Sequence, residues 1–78
     1  MDVRDITFRV RKEDWAHVID AGIHYLKDRG AMNPSGDADR TPEGDYRVRF
    51  RAIYVGQAPE GLTTELEEVV GYKAIPTE

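Results

Sequence analysis

The sequence predicts an α+β domain of two layers, in which a small, mostly antiparallel sheet carries one amphipathic helix on one face. Three observations carry this expectation. Residues 5–11 and 46–55 each alternate apolar and polar side chains, the period of a half-buried strand, and between them residues 13–29 change to a helical period. Each segment offers one apolar face, and packing the three together hides all of them from water.

The first strand places Ile6, Phe8 and Val10 on one side and Thr7, Arg9 and Arg11 on the other. In the helix, Trp15, Val18, Ile19, Gly22, Ile23 and Leu26 share a face, with Tyr25 at its edge and Asp14, His17, Asp20, His24, Lys27 and Asp28 opposite. Glu13 and Asp14 suit the positive end of the helix dipole, Lys27 and Arg29 its negative end, and Gly30 is placed for a left-handed cap. Gly22 lies inside the apolar stripe, where it costs roughly 1 kcal/mol against Ala. A close approach of helix and sheet is the expected compensation.

Residues 31–45 show no periodicity and concentrate Pro, Gly, Asn and Asp, so they read as a long surface loop, poorly ordered in the free protein. Residues 46–55 put Tyr46, Val48, Phe50, Ala52 and Tyr54 on the core side and Arg47, Arg49, Arg51, Ile53 and Val55 on the other. A turn follows over 56–61. Residues 62–75 admit two readings. In one, Leu62, Leu66, Val69 and Val70 form a short helix with a Thr64/Glu67 capping box, Gly71 ends it, and residues 72–75 close the sheet. In the other, the segment is one bent strand that sets Glu65 and Glu67 across from Arg51 and Arg49.

A chain of 78 residues is expected to form one domain over 1–78, since a second would be too small to bury a core of its own. It has no cysteine, which excludes disulfides, thiol nucleophiles and thiolate metal sites. The charged N-terminus lacks the apolar stretch of a signal peptide, and the longest apolar run, residues 52–55, is far too short to span a membrane. A cytoplasmic protein is the expectation. The formal charge of −4 makes long-range attraction to nucleic acid weak.

The arginines are the most informative feature. Arg9 and Arg11 on the first strand and Arg47, Arg49 and Arg51 on the second all point away from the core and so fall on one sheet face. Guanidinium forks at alternate strand positions suit phosphates or an acidic protein surface. The rival reading is a solvated face neutralised from within by Glu60, Glu65, Glu67 and Glu68.

Other chemistry finds little support. His17, Asp20 and His24 share a helix stripe, but no His-Glu-x-x-His pattern and no further His or Cys completes a metal site. Counting a calcium loop from Asp37 puts Pro42 at the position that needs Gly and Val48 where a bidentate Glu is needed. Ser35 is the only serine and lies outside any nucleophile motif, and no glycine pattern cradles phosphate. Neither catalysis nor a cofactor is expected.

In size and sparse chemistry the chain resembles small accessory or inhibitor proteins, including those carried by phages and other mobile elements. The expected function is a protein-binding module, an inhibitor or adaptor, whose arginine face engages an acidic surface on a larger protein. The alternative is single-stranded nucleic-acid binding, which needs stacking rings that this face lacks. Homodimerisation through a sheet edge is compatible with either.

Overall fold

The computed structural model describes residues 1–76. It runs β1 (Asp2–Val10), a 3-10 turn (Lys12–Asp14), α1 (Trp15–Asp28), β2 (Met32–Arg40), β3 (Tyr46–Tyr54), α2 (Leu62–Val70) and β4 (Ala74–Ile75). The strands lie in the order β2-β3-β1-β4, and every neighbouring pair is antiparallel. This is an α+β fold with the topology of two interleaved split β-α-β units, the arrangement called ferredoxin-like.

Ile6, Phe8 and Val10 of β1, Val48, Phe50, Ala52 and Tyr54 of β3, Val18 and Leu26 of α1, and Leu62, Leu66 and Val70 of α2 form one buried cluster. Both helices therefore cover the same face of the sheet. The other face is left bare.

The helix reading of 62–70 holds. Its capping box does not, for the helix starts at Leu62 after Gly61 (φ +73°), and no side chain caps it. Glu67 instead accepts a hydrogen bond from the Ala74 N–H at 2.8 Å, which ties α2 to the short last strand. Both predicted glycine caps are present, Gly30 at φ +93° and Gly71 at φ +80°. After α1 the N–H of Ala31 reaches the Leu26 carbonyl and that of Gly30 the Lys27 carbonyl, each at 3.0 Å, a Schellman closure.

Gly22 has the tight packing its position demands. A Cβ built there would lie 2.3 Å from Cζ of Phe50, and one on Gly36 of β2 would lie 3.2 Å from Cε1 of the same ring. Phe50 thus occupies a slot between two glycines, with Phe8 meeting it edge-on at 5.9 Å.

Two expectations need correction. Residues 31–45 are not a long loop, because Met32–Arg40 is a strand paired along β3, joined to it by the five residues 41–45. Pro34, Gly36 and Ala38 face the core and Ser35, Asp37 and Asp39 face outward, so the strand alternates in size and polarity without large apolar residues. Pairing holds it, and Asn33 takes a left-handed φ of +45° in the irregularity between Met32 and Ser35. Trp15 is not in the core. It begins α1 over the end of β3, is 36% exposed, and stacks on Tyr46 with centroids 5.4 Å apart.

Candidate functional site

The bare sheet face is where the predicted site residues meet. Register places Asp39, Arg47 and Arg9 side by side across β2, β3 and β1, then Asp37, Arg49 and Thr7, with Ile75 of β4 completing that row. Ser35, Arg51 and Asp5 form the next row. A shallow recess of about 260 Å³ is lined by Asp5, Ser35, Asp37, Arg49 and Arg51, so these side chains share one surface.

Arg51 grips Asp5 with both ends of its fork, Nε donating at 2.9 Å and Nη2 at 3.3 Å. The guanidinium holds the Asp5 carboxyl below the usual range. Arg9, cross-strand from Arg47, turns to the β2–β3 connection and donates to Asp45 at 2.5 Å and Glu43 at 2.6 Å. Asp45 is likewise held low, first by Arg9 and then by the Thr41 hydroxyl. These two arginines are neutralised. Among the described residues, Arg47 and Arg49 form no ion pair within 4 Å, although Asp39 and Asp37 flank them on β2.

Arg11 does not belong to the face. One residue past β1, it donates to Tyr72 at 3.3 Å and to Asp14 at 3.2 Å, which fastens the start of α1 to the segment after α2. The acids that neutralise the face were also placed wrongly by the sequence. Because α2 packs on the opposite side, Glu65 pairs with Arg29 and accepts from the Tyr25 hydroxyl, and Glu67 serves β4. Asp5, Asp37, Asp39, Glu43 and Asp45 supply the negative charge instead.

Sequence reasoning put Ile53 and Val55 on the arginine side but missed the residues that join them at the far end of this face. Register brings Val3 of β1, Ile53 of β3 and Met32 of β2 together, and Val55 follows in the bend just past β3. Val3 is 46%, Met32 42% and Val55 75% exposed. The signal was the switch from Arg to Ile and Val at positions 53 and 55. Met32 stayed hidden within a supposed loop.

Elsewhere there is little chemistry. Asp20 and His24 stand 3.7 Å apart on the exposed side of α1, and among the described residues no three potential ligands cluster. A recess of about 380 Å³ beside the start of α2 contains Asp2 and Arg4, which pair at 3.0 Å. Among the described residues, no helix is long and apolar enough to cross a membrane.

No family model, no curated protein and no solved structure matches this chain.

Proposed function

We propose that the protein is a small non-catalytic binding module of the cytoplasm, an inhibitor or adaptor, that docks on a larger protein through the helix-free face of its sheet. Arg47 and Arg49 meet acidic side chains of that partner. The observation that carries the reading is the contrast within the face. Arg9 and Arg51 are engaged by carboxylates of the chain itself, whereas Arg47, beside Arg9, and Arg49, next toward Arg51 on β3, have no ion pair among the described residues. Side chains on a paired strand are preorganised, so their capture by a partner loses less entropy than capture of charges on a loop.

Nucleic-acid binding is less well supported. Sheet faces that bind single strands stack bases on aromatic rings, and here Phe8, Tyr46, Phe50 and Tyr54 all lie on the helix side. The test is affinity capture with the wild type and the R47E/R49E variant, beside titration with single- and double-stranded DNA and RNA at two salt concentrations. One specific protein recovered by the wild type and lost with the variant is the expected result. Micromolar, steeply salt-dependent nucleic-acid binding lost in the same variant overturns it.

A further inference from the structure

We infer that the apolar end of the bare face, Val3, Met32, Ile53 and Val55, is the anchor of the interface, and that the partner element it receives is an acidic amphipathic helix. This rests on the protein-binding reading above and specifies the partner. Val3, Ile53 and Met32 come from three strands that register sets side by side, and Val55 lies in the bend that follows β3. Exposed apolar patches rimmed by charge mark interaction sites, and a few well-desolvated residues supply most of the energy of an interface.

The strand edges are poor alternatives. β2 interrupts its edge with Pro34 and the irregularity at Asn33 and adds Asp37 and Asp39, while β4 has only two residues, features that discourage strand addition. A second copy does not fit the face either. A two-fold axis across the strands at mid-face lays the apolar end on Arg47 and Arg9, and an axis along β3 sets Arg47 and Arg49 against their own copies. An axis at the apolar end joins only four side chains per subunit, far below the roughly 800 Å² per partner of a stable interface. A different protein fits the face better than a second copy.

A helix is the natural cover for a bare sheet face. Along β3, Arg49 and Arg47 lie four and six residues from Ile53, about 13 and 20 Å at strand rise. On a helix those spans are about nine and thirteen residues by rise alone, but nine or thirteen steps of about 100° turn a side chain to the far side. The matching positions on the anchor's own face are about seven and fourteen residues on. The partner thus needs an apolar cluster at one end and acids at those two distances. Asp37 and Asp39 repel it on the β2 side, so the acids approach Arg49 over Thr7.

The test uses the full chain, isotope-labelled, and two synthetic helical peptides of about 18 residues. One carries leucines at one end and Glu about seven and fourteen positions on, on the same face; its twin carries Lys there. Expected are shifts of the Val3, Ile53 and Val55 methyls and the Arg47 and Arg49 side chains with the Glu peptide. Affinity should fall about tenfold in Ile53→Ser and in Val55→Ser, the latter at a site too exposed to affect folding. R47E/R49E should reverse the preference to the Lys peptide. Binding that depends on the arginines but not on Ile53 or Val55 overturns the anchor and leaves the arginine reading standing. So does a concentration-dependent dimer abolished by Val55→Ser, because the patch would then belong to a second copy. If neither peptide perturbs the face, the inference is wrong, and the broader reading is judged by the capture experiment alone.

Discussion

β2 and β3 are the two nine-residue strands of one hairpin, yet they are held in the sheet by opposite means. β3 buries Val48, Phe50, Ala52 and Tyr54 and is paired on both sides. β2 has one neighbour and faces the core with Pro34, Gly36 and Ala38, none of them fully buried. One strand drives burial by filling space. The other contributes by leaving space, since a side chain at Gly36 would press on Phe50 and Ile19.

Removing the ring that both strands serve should have the largest effect. Phe50→Ala is expected to cost about 3–5 kcal/mol in denaturant unfolding, much of the stability of so small a domain. Gly22→Ala should cost about 1–3 kcal/mol, because its Cβ would meet Cζ of Phe50 at 2.3 Å. In the Phe50→Ala background that penalty should vanish, a coupling a double-mutant cycle measures directly. Additive losses would show that Gly22 does not act through the ring. Gly36→Ala should cost less, about 1 kcal/mol or below, as the contacts there are 3.2 and 3.3 Å and strand propensity favours Ala.

Acid should separate the hairpin's charged end from its core. Asp5 and Asp45 have folded pKa values below the ordinary carboxylate value near 4, so their stabilisation is complete above it and is lost as pH falls through the folded values. Amides of 41–45 should broaden or shift first on acidification, while those around Phe50 stay sharp. The smallest effect is at alkaline pH. The Tyr25 phenol is pushed up to about 12, mainly by burial and then by its bond to Glu65. A folded value above the unfolded one near 10 means that this contribution is whole below pH 10 and declines toward 12. Ultraviolet titration should show late phenolate formation that moves earlier in Glu65→Gln.

The same contrast explains what could be read in advance. β1, α1 and β3 were legible because large apolar residues recur at the strand or helix period, and Gly22 was legible because it interrupts such a pattern. β2 was not, because its inward residues are small to make room for Phe50, and Pro, Gly, Asn and Asp in a row carry the signature of a loop. Arg9, Arg47, Arg49 and Arg51 were correctly placed on one face, but their partners depend on where α2 and the hairpin connection fall, which alternation does not encode. Trp15 follows the helical period, yet the sheet beneath it ends too soon to cover it.

The strand order also sets a sequence of events for folding. The β2–β3 hairpin is local, with Arg40 opposite Tyr46, so its pairing closes only a short loop. β1 comes first in sequence but sits between β3 and β4, and its outermost pair joins Asp2 to Tyr54. It gains its neighbours only after β3 exists, by closing a long loop whose entropy must be met before any contact rewards it. During synthesis the apolar row Ile6, Phe8 and Val10 therefore waits for β3, with only α1 and β2 made in between. Until β3 is made, that row lacks the strand it pairs with.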